Sequence, residues 1–198
     1  MMGPFVFTLT TRIWQLAAIN LTALGLTLLG FGLLGLAPAL AATLWATARM
    51  DELTAGQLAR GIWREYRAEF ATANLAVLPL ALVLLGSLAL ALVLPMLALI
   101  MLLPLAWIAA GYALAALFAI SRLSGSATDA LANARVGFSQ APMSHLIPVL
   151  ALPFVAWVAS HQPLVALYFG LSAPCLFINT LLAGAIASAM PSQREILQ

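Results

Sequence analysis

The chain has 198 residues, of which 64% are hydrophobic and 7% charged, against ordinary values of roughly 45–50% and about 25%. Fourteen charges, eight of them arginine and none lysine, cannot cover a water-soluble surface, which excludes a soluble enzyme, a disulfide-stapled secreted domain and a nucleic-acid binder. The net charge of +2 is too small to define a polyanion-binding face, and the one cysteine, Cys175, sits in an apolar run without a disulfide or zinc partner.

The charges leave three uncharged stretches, 13–48, 70–121 and 136–193, of 36, 52 and 58 residues. A helix needs about 20 residues to cross about 30 Å of hydrocarbon, so the first stretch holds one crossing and the others two each. The expected fold is all-α, a single polytopic transmembrane bundle of five spans near 13–36, 75–94, 97–120, 143–160 and 164–189. Cytoplasmic helical segments are expected near 38–50, 55–72 and 128–138.

In chain order, the apolar run after Arg12 outruns a signal-peptide core and shows no small-residue cleavage site, so it reads as a retained span. Gly35 to Ala42 is expected to break the helix at Pro38 and restart it as a short interfacial segment towards Met50. Thr54-Ala-Gly-Gln57 is a capping box with Thr54 as N-cap, and Leu53 with Leu58 supplies the matching hydrophobic staple. From there Ile62, Trp63, Tyr66 and Phe70 fall within one arc, Arg60, Arg64 and Arg67 on one flank, and Glu65 and Glu69 on the other. Like charges four apart weaken an isolated helix slightly, so they call for opposite charges elsewhere.

Asn74 could cap the following span, which a turn near Pro95 separates from the next. A weaker helix at 128–138 places Leu131, Ala134 and Phe138 on one face, with Asp129 near its positive end. Ser160 to Pro163 marks the turn between spans four and five. Small residues four apart, Gly111, Ala115 and Ala119 or Gly184 and Ser188, let helices approach closely in lipid. Trp14, Trp45, Trp107 and Trp157 fall near span ends as interfacial aromatics do, with Trp107 deeper than that rule prefers.

This layout places Arg49, Arg60, Arg64, Arg67, Arg122, Arg135 and Arg194 on one side and Arg12 alone on the other, which predicts the N-terminus outside and the C-terminus in the cytoplasm. None of the five spans holds a charged residue, and the polar groups at depth are Asn20, Ser87, Asn179 and scattered threonines. His145 and His161 lie near opposite ends of span four, too far apart to share a metal. With no Ser, His and acid constellation, phosphate loop or carboxylate pair at depth, the expectation is a protein that is not an enzyme and needs no cofactor.

Four parts of the chain carry a family resemblance: Arg12 to Asn20, Gly35 to Ala42 around Pro38, Trp63 to Asn74, and Asn133 to Pro142. In their order and spacing the chain resembles the YesL-like family of bacterial membrane proteins, although that family's cytoplasmic loops would be expected to carry lysines where this chain has only arginine. The resemblance implies a multi-pass protein of the bacterial inner membrane, associated with carbohydrate uptake by ABC importers, and transfers no catalytic residue. Taken with the residues, it leads to an expected non-catalytic accessory protein that docks on importer subunits through helix 55–72, using Arg60, Arg64, Glu65, Arg67 and Glu69. The alternative is a small oligomeric pore along the broken spans four and five, at Pro148, Pro153, Pro174 and Asn179. A third reading, an enzyme acting on lipid, would rest on His145 and His161.

Overall fold

A backbone that cannot hydrogen-bond to lipid must satisfy itself, and the described residues of this apolar chain do so mostly as helix. The structure, a computed structural model, describes residues 4–94, 96, 98–123, 125–150 and 152–189. Among them run α1 (Pro4–Leu29), α2 (Leu33–Thr47), α3 (Ala55–Val93), a π-helical turn (Ala98–Leu102), α4 (Leu103–Arg122), α5 (Ala127–Gln140), α6 (Pro142–Leu150), α7 (Leu152–His161), α8 (Pro163–Phe169) and α9 (Ser172–Ala189). Phe7–Leu29, Ala55–Val93 and Ile100–Arg122 are long and apolar enough to cross a membrane, and up to five crossings result if Ala127–Gln140 with Pro142–Val158 and Pro163–Phe169 with Ser172–Leu182 each make one bent span. Packing gathers into two units, residues 1–70 with 153–179, and residues 71–152 with 180–198.

In the first unit the break after α1 falls at Gly30–Gly32, earlier than the expected break at Pro38. Phe31 and Gly32 both adopt left-handed backbone, at φ 57° and 74°, and the Gly32 N–H closes onto the Thr27 carbonyl at 2.8 Å. That bond satisfies a carbonyl that the end of a helix leaves bare. The chain then reverses so tightly that a Cβ on Gly30 would overlap Gly35 Cα. Pro38 lies inside α2, one turn past its start, where it forfeits a single backbone bond, and it is fully buried.

The α1–α2 hairpin corrects the expected placing of Arg12. At its open end Arg12 Nη2 meets Asp51 Oδ1 at 2.6 Å and Gln15 Nε2 donates to the Leu53 carbonyl at 2.8 Å. Arg12 therefore shares an end with Arg49 and the turn before α3, and the seven-against-one count that put the N-terminus outside loses its ground. Ile19 and Leu26 of α1, Ala39, Ala42 and Trp45 of α2, and Leu58, Ile62 and Tyr66 of α3 form this unit's core, with Leu53 packed against it.

α3 starts where the sequence places a helix, yet it runs unbroken to Val93 where two elements, 55–72 and 75–94, were expected. Ala73 and Asn74 between them do not stop a helix, and Pro79 farther on is accommodated inside, so Asn74 caps no new start. The expected turn at Pro95 lies outside the described residues, as does Arg194. Expected spans four and five are each two helices, α6 with α7 and α8 with α9, and α8 and α9 meet at a bend of 52°.

In the second unit Ala115 and Ala116 of α4 pack on Ala134 of α5, flanked by Tyr112, Leu131 and Phe138. A Cβ on Gly111 would lie 2.8 Å from a Leu146 methyl, so the small-residue stripe of α4 serves packing within the chain. α5 begins one residue before the expected position on a reciprocal capping box, Ser126 with Asp129, that the sequence reading missed although Ser-Ala-Thr-Asp has its spacing. The two hydrogen bonds from Ser126 hold the Asp129 carboxyl below its usual range.

Candidate functional site

Thr54 and Gln57 fix the start of α3 because Gln57 Oε1 accepts from the Thr54 N–H at 2.9 Å and from Thr54 Oγ1 at 2.8 Å. Helical spacing then puts Leu58, Ile62 and Tyr66 on the inner side, where all three are buried. Trp63, expected on that same arc, is 45% exposed and stacks on Tyr66 from outside, with Arg67 Cζ at 5.7 Å over its ring. The arc is therefore narrower than periodicity implies, because the core accepts residues spaced by four and leaves Trp63 at the rim.

Between the end of α2 and the first two turns of α3 lies an open groove of about 650 Å³ lined by Trp45, Arg49, Glu52, Leu53, Gln57, Arg60, Gly61 and Arg64. Trp45, expected among the interfacial aromatics, is instead only 8% exposed. Its ring lies against Gly61, where a Cβ would overlap it, so the glycine lets the indole lie flat against α3. Arg49 and Arg64 place Cζ 4.8 and 5.9 Å from that ring, and cations are attracted to an aromatic face.

Arg64 also reaches Glu65 Oε1 at 3.1 Å, which bridges the flanks that the sequence set apart. Arg49 donates to the Trp45 carbonyl at 3.4 Å and Arg60 to the Gly56 carbonyl at 3.3 Å. Of the expected docking residues, the groove thus brings together Arg60 and Arg64, with Arg67 and Glu69 farther along α3. Arg49 and Trp45 were missed as site residues; a tryptophan four residues before an arginine at a helix end was their only signal.

The two asparagines at depth serve helix ends. Asn20 is fully buried in α1, and its Nδ2 donates to the Leu167 carbonyl at 2.6 Å and the Ala166 carbonyl at 3.3 Å. Its Oδ1 accepts from the N–H groups of Leu171 at 2.6 Å and Ser172 at 3.1 Å. One side chain so closes both ends of the gap between α8 and α9. Asn179 Nδ2 does the same for the end of α2, donating to the Leu44 carbonyl at 2.8 Å and to Thr47 Oγ1 at 2.7 Å.

Pro174 lies in the first turn of α9, next to the break that Asn20 closes. Pro148 lies buried within α6, and Trp107 Nε1 donates to the Leu146 carbonyl of the same helix at 3.1 Å, which accounts for the depth of that tryptophan. Pro153 lies in the first turn of α7, where it costs no helical hydrogen bond. His145 Nδ1 contacts the Ala141 carbonyl at 2.9 Å and His161 Nδ1 the Trp157 carbonyl at 2.9 Å, each within its own turn. Among the described residues no group of three or more His, Cys, Asp or Glu side chains gathers as a metal site.

Long apolar helices that satisfy their breaks with buried asparagines define a helical membrane protein. Within that class, residues 16–92 match DUF624, a family of proteins of unknown function that YesL-like proteins carry. The match takes in α1 from Leu16 onward, α2, the cationic groove and almost all of α3, and so two of the four resembling segments whole and part of a third. No curated protein and no solved structure matches the chain.

Proposed function

We propose that the protein is a non-catalytic accessory subunit of the bacterial inner membrane that docks on a carbohydrate ABC importer through the outer face of the first turns of α3. The observation behind this reading is that the inner face of those turns is already consumed by the protein's own core. Arg60, Trp63, Arg64 and Arg67 stay exposed on a helix that cannot swing away. An exposed tryptophan under an arginine suits a protein contact, since Trp and Arg are enriched where interfaces concentrate their energy. Glu65 and Glu69 lie half-buried beside them and set the polarity of the face. The partner's matching surface is acidic, on a permease or ATPase subunit.

The same reading orients the chain. If α2 counts as a short crossing and each bent pair as one, the chain crosses six times, and the seven arginines among the described residues, Arg12 to Arg135, fall on the cytoplasmic side, the distribution that arginine loops favour.

The test is affinity purification from native membranes in mild detergent, comparing the wild type with Arg67→Glu/Trp63→Ala. Recovery of importer subunits that is lost in the double variant supports docking. Absence of those subunits, or equal recovery with both proteins, overturns it.

A further inference from the structure

We propose that the groove beside the turn from α2 to α3 binds a phosphate-bearing anion, gripped by Arg49, Arg60 and Arg64 above the indole of Trp45. Three guanidinium groups line one opening of about 650 Å³, opposed there by a single carboxylate, Glu52, so its walls carry a charge of +2. Guanidinium is the side chain best matched to phosphate, because its planar fork donates two parallel hydrogen bonds to a pair of oxygens. Arg49 and Arg60 each make one long contact to their own helix, at 3.4 and 3.3 Å, and Arg64 turns two N–H groups to Glu65, which leaves most of the fifteen guanidinium donors to a ligand.

The groove is also preorganised. Trp45 is pinned by Gly61, and the rings of charge at Arg49 and Arg64 rest over its face, so part of the ordering cost of a bound anion is met before it arrives. Gln57, already tied to Thr54, adds a neutral polar wall. The groove stands at the polar end of the apolar α1–α2 hairpin, the level at which lipid phosphates lie, yet it is open enough to admit a soluble phosphate ester. The shared chemistry is the phosphoryl group, and the two sources are separable. The inference does not depend on docking to an importer, because its test contains no partner.

The full-length protein is reconstituted in nanodiscs of phosphatidylcholine and titrated with pyrophosphate by calorimetry. A parallel preparation contains phosphatidylglycerol, and native mass spectrometry counts the molecules retained. Arg49→Gln/Arg60→Gln/Arg64→Gln is expected to weaken the bound anion by roughly a hundredfold, since hydrogen bonds to charged groups are the strong ones. Glu52→Gln is expected to strengthen it about threefold by removing a like charge at the rim, a gain that misfolding cannot imitate.

Pyrophosphate binding that follows both variants assigns a soluble ligand. Phosphatidylglycerol retention that follows them, without pyrophosphate binding, assigns a lipid headgroup. Binding of neither anion, binding that the triple variant leaves unchanged, or no gain with Glu52→Gln overturns the proposal.

Discussion

Replacing Asn20 by leucine tests whether one amide holds a broken helix together. Leucine has as many side-chain heavy atoms as asparagine and favours helix, so α1 itself is not weakened. The substitution removes four hydrogen bonds and strands the Leu167 carbonyl and the Leu171 and Ser172 amides in a site where Asn20 is fully buried. Hydrogen bonds between membrane helices average about 0.6 kcal/mol, which sets a floor near 2 kcal/mol for four of them. Buried groups left without partners cost about 1–3 kcal/mol each, and local relaxation recovers part of that, so the expected loss is about 2–4 kcal/mol.

The assay is reversible unfolding of the purified protein in mixed micelles, followed by tryptophan fluorescence. Thr22→Val is the control, because Thr22 Oγ1 bonds only to the Ala18 carbonyl of its own helix, and its loss should cost under about 0.5 kcal/mol. Asn20→Asp keeps the acceptor for both amides but sets a carboxylate against two carbonyls, and should be no better than leucine. If Asn20→Leu unfolds within about 0.5 kcal/mol of the wild type, the amide is not what closes the gap, and the account given of the break is wrong.

Two glycines five residues apart in α3 should respond in opposite directions to alanine. Gly56→Ala meets nothing within 4 Å and should stabilise by about 0.5–1 kcal/mol, whereas Gly61→Ala drives a methyl into the Trp45 ring and should destabilise by about 1–2 kcal/mol, both read in the same unfolding assay. In a Cys175→Ala background, Thr11→Cys and Glu52→Cys should be labelled by an impermeant maleimide from the same side of the membrane; labelling from opposite sides refutes the hairpin that Arg12 and Asp51 close. Asp129 titrates below the usual carboxylate range in the native state, so its capping box supports α5 at pH values above that range and loses its contribution as pH falls through the lowered native value. Protection of the amides in the first turn of α5, taken as the exchange rate relative to the intrinsic rate at each pH, should therefore fall in acid, and Ser126→Ala should abolish that acid-dependent step.

The sequence alone was enough for the class of the protein and for the places where helices begin. Fourteen charges in 198 residues forbid a wet surface, and local rules of capping act within four residues, so Thr54 and Gln57 announced α3 without any tertiary information. Hydropathy also located the apolar stretches, because the length of hydrocarbon to be crossed is a property of the bilayer. What it could not supply was the partner of each polar side chain. Asn20 reads as a generic interhelical donor until α8 and α9 are seen to part beside it, 146 residues later in the chain.

The same limit produced the misplacing of Arg12. The charge count rested on one crossing for the first apolar run, and a reversal at Gly30–Gly32 inside that run is invisible to hydropathy; it depends on two left-handed residues and on the close approach of Gly30 to Gly35. Helical spacing likewise put Arg60 and Arg64 on one flank, but only the fold of α2 back against α3 brought Trp45 and Arg49 to meet them. Local pattern determines which segments are helical and which faces are apolar, while long-range packing decides which helix ends and which charges face one another, since those energies exist only between residues far apart in sequence.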